Sequence, residues 1–272
     1  MNREVANKLN NICGKMGNSN ITRTFRNNQY LKRKMLKEFI KPCYNRYSYN
    51  FIYNKGIEMT ELKEKIEKLA KKYSDNLNIN VQERVREMAN DNKSHYLIYR
   101  VLGISFEEGE NIDLYQNKGR FLYKYAGSFL EEAAVLCFNE KFGTENAKKV
   151  KIPNSEGTKP KTFEIDCLVE EKHAYEIKWR DATTDGDHIT KEHTRIKVIH
   201  NKGYIPIRLM FYYPNRTQAI KIQQTLETLY NGIGGQYYYG DSAWEHLRAV
   251  TGIDLLSILT DIADKKTGVK SK

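Results

Sequence analysis

Apolar residues recur three or four positions apart in several stretches of the chain, a spacing that predicts amphipathic helices. The first predicted helix begins after Thr60, a residue type that caps helix N-termini, and a short second one covers residues 81–89. The longest predicted helix runs from Gly119 to near Gly143. Between these helices, the acidic, glycine-containing residues 103–118 predict a loop, which is the best candidate for a boundary between two regions of the chain.

Alternation of polar and apolar residues replaces the helical spacing after this long helix and predicts β-strands. Two alternating segments, residues 162–170 and 174–180, are separated by a tight turn and therefore predict a hairpin. Further strands are predicted over residues 150–153 and 205–213, and further helices over residues 189–201 and 217–230. From residue 119 the order is helix, strand, strand, strand, helix, strand, helix, which predicts a mixed α/β (α+β) layer fold.

Charge is concentrated near the N-terminus. The 272-residue chain has a formal net charge of +11, and its first 60 residues hold 12 Lys and Arg against three Glu. Because such a local field attracts polyanions, and because tyrosines lie between the basic residues, the segment around Lys41 and Arg46 indicates nucleic-acid binding more than a merely solvated surface.

Membrane insertion and export are not indicated by the sequence. No segment approaches the roughly 18 consecutive apolar residues of a membrane span, and the first ten residues lack the apolar stretch of a secretory signal. The four cysteines show no spacing typical of a disulfide framework or a CxxC metal site. These features favour a reducing cytoplasm.

The predicted hairpin carries the residues with the clearest chemical use. Strict alternation places Asp166 on one face of the first strand, with Phe163 and Ile165 on the other, and it places Glu176 and Lys178 together on the second strand. Two carboxylates can hold Mg²⁺, which stabilises charge on a phosphodiester, while the lysine orients or deprotonates water or steadies the developing charge. A surface hairpin with an ordinary Glu–Lys ion pair remains the alternative, because acid-x-Lys triplets are common in a charged chain.

The spacing of Asp166 and Glu176-Ile177-Lys178 resembles the signature of the PD-(D/E)XK nuclease superfamily, with Ile165 where that motif has proline. The order of elements over residues 119–213 resembles its restriction-endonuclease-like core, a mixed central sheet flanked by helices. The resemblance implies Asp166, Glu176 and Ile177 as metal ligands for Mg²⁺. It also implies a glutamate on the first core helix as a further catalytic residue, for which Glu131 fits best and Glu132 is the fallback.

Three further stretches, residues 116–120, 176–188 and 239–244, are similar to the ApaLI-like type II restriction endonucleases. This narrower resemblance implies a homodimer that cuts a short palindromic site in double-stranded DNA. It also implies a DNA methyltransferase that protects the same site in a bacterial host. A repair or recombination nuclease with the same core, or a non-catalytic DNA-binding protein, are the alternatives.

The remaining basic candidates follow the second hairpin strand. Arg180 begins a polar loop that could contact phosphates or base edges. Lys191 and Arg195 lie on the predicted helix after this loop. They could face DNA phosphates, but a solvated helix face is equally compatible with the pattern. We therefore expect a basic, mostly helical DNA-binding or dimerisation region over residues 1–115. Residues 116–272 are expected to form the catalytic domain.

Overall fold

In a computed structural model, the backbone is described for residues 41–180 and 186–269, and the side chains for residues 60–180 and 189–269. The chain divides into two compact units, residues 1–60 and 61–272, and the sheet lies in the second. The elements of the described residues are α1 (Lys41–Ala89), α2 (Tyr96–Val101), α3 (Phe106–Phe142), β1 (Ala147–Pro153), β2 (Thr162–Val169), β3 (His173–Arg180), α4 (Gly186–Asn201), β4 (Ile205–Tyr212), α5 (Thr217–Gly232), β5 (Gln236–Tyr239), α6 (Asp241–Thr251) and α7 (Leu255–Thr267).

The five strands form one mixed sheet in the order β1-β2-β3-β4-β5. The first three strands are antiparallel, and β3, β4 and β5 are parallel, with α4 and α5 as the crossover helices. Helices α3 and α6 cover one face, and α4 and α5 cover the other. This arrangement confirms the predicted α/β fold, a mixed central sheet flanked by helices, and it makes β3 the central strand.

A β-bulge interrupts β2 at Asp166. Lys148 of β1 pairs with Leu168, but two residues later Val150 pairs with Ile165, so β2 holds one residue more than β1 in this interval. The extra residue reverses the alternation, and Leu168 packs in the same buried cluster as Ile165. The strictly alternating faces predicted for β2 are therefore wrong beyond the bulge. Bulges are frequent beside active sites because they redirect a side chain.

The strand predictions and the helix after the hairpin are confirmed within a few residues, whereas two helix boundaries are wrong. Thr60 does not begin a helix, because α1 continues unbroken from Lys41 to Ala89. The expected loop at 103–118 is helical from Phe106, where Ser105 and Glu108 form a capping box, so these acidic residues start α3 instead of separating two elements. Helix α3 passes through residues 115 and 116, and the division of the chain at that point stays a prediction.

The backbone of helix α1 includes Lys41 and Arg46, and the DNA-binding or dimerisation region expected over residues 1–115 stays a prediction. The side chains of these two residues lie outside the described part of the structure. Within the described ranges, no helix is long and apolar enough to cross a bilayer.

Candidate active site

The β2–β3 hairpin places the two predicted carboxylates at the centre of the sheet. Its ladder pairs Leu168 with Ala174 and Cys167 with Tyr175. At the bulge, the Asp166 carboxylate accepts a hydrogen bond that a backbone carbonyl would accept in a regular ladder. Its Oδ2 accepts from the backbone N–H of Ile177 at 2.8 Å. This bond fixes the Asp166 side chain against the central strand.

Lys178 contacts all three predicted metal ligands at once. Its Nζ lies 2.6 Å from Oε1 of Glu176 and 3.3 Å from Oδ2 of Asp166, and it donates to the backbone oxygen of Ile177 at 3.1 Å. The convergence of Asp166, Glu176 and Lys178 that the hairpin predicted is therefore present. The isoleucine takes part through its carbonyl and not through its side chain.

These three oxygens fit a hard divalent cation. The positively charged ammonium of Lys178 already contacts one oxygen each of Asp166, Glu176 and Ile177. Carboxylate and carbonyl oxygens are the ligands that Mg²⁺ prefers. Among the described residues, no group of three or more His, Cys, Asp or Glu side chains is arranged to hold a metal. Two carboxylates and one carbonyl leave the remaining coordination positions of Mg²⁺ to its own waters.

The two carboxylates differ in their electrostatic environment. Burial, and after it the charge of Glu176, raise the pKa of Asp166, Lys178 lowers it, and the net pKa is about 7. Burial also disfavours ionisation of Glu176, but Lys178, Arg195 and Arg208 outweigh it and hold its pKa at about 2. Glu176 is thus a fixed anion, while Asp166 changes its protonation near neutral pH.

Lys178 itself stays charged. Burial lowers its pKa, but the neighbouring Glu176 and Asp166 carboxylates raise it more, and the net direction is upward. At neutral pH the ammonium therefore donates hydrogen bonds and stabilises negative charge, and it is poorly suited to accept a proton.

A buried ionic network supports Glu176 from the α4 side of the sheet. Arg195 forms ion pairs with Glu176 and with Glu192, whose Oε2 lies 3.4 Å from Nη1 of Arg195. The other oxygen of Glu192 accepts from Nη1 of Arg208 at 3.0 Å and from the hydroxyl of Tyr230 at 2.6 Å. Glu192 and Arg208 are only 3% and 2% exposed, so each depends on the others for its compensating charge.

Arg195 was predicted only as a DNA contact, and the other members of this network were not predicted from the sequence. One signal was available: Arg208 interrupts the apolar run of β4, where a charged residue needs a buried partner. The position of that partner, Glu192, one helix earlier in the chain, could not be read from spacing.

Glu131 lies beside the carboxylate cluster. It lines a pocket of about 160 Å³ together with Tyr123, Gly127, Ile177, Lys178, Trp179 and Arg180. Its Oε1 pairs with Nζ of Lys149 at 2.8 Å. Glu132, the fallback residue, faces α1 instead, where it accepts a hydrogen bond from Tyr73 and pairs with Lys72 at 3.5 Å. The geometry thus favours Glu131 as the additional acid.

The residues predicted to contact DNA lie in different parts of the structure. The guanidinium of Arg180 is exposed at the pocket rim, 5.1 Å from the ring centroid of Tyr123 and 5.6 Å from that of Trp179. Lys191 is exposed on α4. Arg195 lies on the same helix but is engaged with Glu176, which indicates a role in supporting the site. Residues 181–185, the start of the polar loop after Arg180, lie outside the described residues.

Two acids that can hold a divalent metal beside a charged lysine are suited to phosphodiester hydrolysis, because the metal and the ammonium both stabilise negative charge on the phosphate. Comparison with known families makes this specific: the family model of the ApaLI-like restriction endonucleases matches residues 36–264. The chain belongs to this family, and it is accordingly a nuclease that acts on DNA. Comparisons with curated proteins and with solved structures gave no match.

Proposed function

We propose that this protein is a Mg²⁺-dependent type II restriction endonuclease that hydrolyses phosphodiester bonds at a short palindromic site in double-stranded DNA, with PD-(D/E)XK-type chemistry. Beyond the family, the observation that carries the proposal is the contact of one ammonium, Lys178, with an oxygen each of Asp166, Glu176 and Ile177. It supports the proposal because a set of oxygens that holds one cation in the sheet is chemically suited to hold another.

Each residue of the cluster has a role in this proposal. Asp166, Glu176 and the carbonyl of Ile177 would hold Mg²⁺, which lowers the pKa of a bound water and stabilises charge on the phosphate when present. Lys178, charged at neutral pH, orients the attacking water and stabilises the pentacovalent phosphate by donating hydrogen bonds. Glu131 assists from α3, where it lines the same pocket as Lys178. Arg195 holds Glu176 in its ionised form.

The proposed partners follow from the substrate. A palindromic duplex presents two equivalent phosphodiesters, so cutting both strands calls for two related active sites and hence a homodimer. Arg180, Lys191, Lys41 and Arg46 would contact the DNA backbone or bases. A methyltransferase would modify the same site in a bacterial cytoplasm without needing to touch the nuclease.

The direct test is incubation of the purified protein with plasmid DNA, with and without Mg²⁺, followed by sequencing of the ends. We expect discrete fragments whose ends share one short palindrome, formed only with the metal. Asp166→Ala serves as the matched control and should leave the plasmid intact. Ends without a common sequence, or nicking at particular DNA structures, would instead favour a repair or recombination nuclease.

Metal binding should depend on pH through Asp166. Because its pKa is raised to about 7 and only the carboxylate binds a cation, affinity should fall about tenfold per pH unit below 7 and level off above it. We expect calorimetric titration with Ca²⁺ to show roughly tenfold weaker binding at pH 6 than at pH 8, with release of up to one proton per ion at pH 6. Equal affinities at the two pH values would contradict the assignment of Asp166 as a ligand.

A further inference from the structure

Two aromatic rings and an arginine meet in the lining of the active-site pocket. The rings of Tyr123 on α3 and Trp179 on β3 lie with their centroids 5.7 Å apart and their planes tilted by 50°. The guanidinium carbon of Arg180 is 5.1 Å from the centroid of the first ring and 5.6 Å from that of the second. Both distances are within the range of cation–π attraction, so the rings restrict where this guanidinium lies. We call these three residues the rim cluster.

The ring contacts do not use the hydrogen-bond donors of Arg180. A guanidinium has five N–H donors, and a ring face attracts its charge without supplying an oxygen acceptor. Arg180 is exposed, and the ring of Tyr123 is 49% exposed, so a ligand can reach the cluster from outside. The fork of donors on a guanidinium matches the oxygens of a phosphate, which makes the cluster a suitable binding group for one.

The rim cluster shares its pocket with two residues of the proposed reaction. Lys178 and Glu131 line the same pocket, and Arg180 lies two residues beyond Lys178 on β3. Residues two apart on a strand are separated by about 6.6 Å, so a phosphodiester held at Lys178 brings the adjoining DNA backbone within reach of Arg180. A backbone contact is therefore favoured over a contact with base edges, which lie inside the grooves.

Helix α3 leaves room for DNA beside the rim cluster. Tyr123, Gly127 and Glu131 follow one another at intervals of four residues, so they lie in a row on one side of the helix. Glycine destabilises a helix interior relative to alanine, yet a Cβ added at Gly127 would meet nothing within 4 Å. Packing therefore does not require this glycine. Because Gly127 lines the pocket, its missing side chain widens the space between Tyr123 and Glu131.

We propose that Tyr123 and Trp179 hold Arg180 for a contact with the DNA phosphate next to the scissile one, and that Tyr123 is a positioning residue for this contact. The scissile phosphate belongs to the metal and Lys178, so Arg180 fixes the strand on one side of the bond to be cut. Holding the backbone there orients that bond toward the attacking water. The place of the scissile phosphate rests on the proposed function, whereas the contact of Arg180 with DNA requires no cleavage.

The first test measures affinity for a short fluorescent duplex by anisotropy over a series of salt concentrations, without divalent metal. Arg180→Ala should weaken binding ~10–100-fold and reduce the slope of log affinity against log salt by about 0.9, the value for one phosphate contact. Tyr123→Leu should weaken binding ~2–5-fold, whereas Tyr123→Phe, which keeps the ring, should bind like the wild type. Tyr115→Leu is the matched control and should bind unchanged, since Tyr115 is an exposed tyrosine of the same helix that also lies beside a cation, Lys118.

A double-mutant cycle shows whether Tyr123 acts through Arg180. In an Arg180→Ala background, Tyr123→Leu should cause no further loss of affinity, because the cation that Tyr123 positions is absent. Additive losses would overturn the positioning role, as would a Tyr123→Phe variant that binds as weakly as Tyr123→Leu. A loss in Arg180→Ala that is confined to one DNA sequence and leaves the salt slope unchanged would mean a base contact, and it would overturn the phosphate assignment.

A chemical probe locates the phosphate in the cleaved strand. A neutral methylphosphonate, placed in turn at the two phosphates that flank the scissile one, should slow wild-type cleavage at one of them. Arg180→Ala should lose nothing further there, because the partner of that charge is already missing. Equal slowing of both proteins would overturn the contact. A wild type that binds DNA through Arg180 but cuts none would defeat the proposed function and leave the contact standing, whereas normal binding and cleavage by Arg180→Ala would do the reverse.

Discussion

Lys178→Ala should reduce DNA cleavage by ~10²–10⁴-fold while DNA binding changes little. The charged ammonium is placed among the oxygens proposed to bind the metal, where it can orient water and stabilise the phosphate in the transition state, and groups in such roles contribute ~10²–10⁴-fold each. Binding is spread over many phosphate contacts and should survive the loss of one amine. The measurements are single-turnover cleavage and a gel-shift assay without divalent metal.

The same variant also separates a chemical role from a structural one. Removing the ammonium frees the oxygens of Asp166, Glu176 and Ile177, so Ca²⁺ should bind Lys178→Ala at least as tightly as the wild type. Lys172→Ala, an exposed lysine in the turn of the same hairpin, is the matched control and should cleave normally. Wild-type cleavage by Lys178→Ala would remove the lysine from the mechanism. A wild-type protein that binds DNA but does not cleave it, with Lys178→Ala binding DNA in the same way, would instead favour a non-catalytic DNA-binding protein.

Glu192→Ala should lower the free energy of unfolding by about 3–5 kcal/mol. Glu192 is the buried acid that both Arg208 and Arg195 face, and removing one partner of a buried ionic network leaves uncompensated charge in the core. The loss should be measured by urea unfolding at pH 7. Glu245→Ala, an exposed acid on α6, should change stability by less than about 0.5 kcal/mol.

A double variant shows whether the loss comes from unpaired charge or from lost packing. Glu192→Leu with Arg208→Met removes both members of the 3.0 Å pair and restores apolar contacts. It should be more stable than either single variant, because neither charge is then left buried alone. A double variant whose loss equals the sum of the two single losses would mean that the pair is not energetically coupled.

The network also links stability to the active site. Arg195 contacts both Glu192 and Glu176, so a loss of Glu192 should weaken the support for the ionised Glu176 as well as the core. Cleavage by Glu192→Ala, measured well below its unfolding transition, should therefore fall even where the protein is folded. Among the described residues Glu192 is the least exposed acid, at 3%, and it would affect the reaction only through Arg195 and Glu176.

Local sequence features were sufficient for much of the fold and for the central part of the site. The alternation in β2 and β3 and the tight turn between them fixed a hairpin, and a hairpin of that length can only bring Asp166 close to Glu176. The apolar run of β4 likewise indicated a buried strand, now seen paired in parallel with β3. These predictions succeeded because they depend on periods of two or 3.6 residues, which the chain carries by itself.

Other features depend on contacts between distant residues. The bulge at Asp166 arises from the pairing of β2 with β1. The start of α3 at Phe106 is different, because its Ser105–Glu108 capping box is local and was missed when the acidic residues were interpreted as a loop. Glu192 and Arg208 are neighbours only because α4 packs over β4. The chain alone therefore determined the strands, the acid pair and the lysine. Only the tertiary structure decided which buried groups compensate the charges of the acids and the lysine. Burial and ion pairing across the core follow no repeating spacing in the sequence.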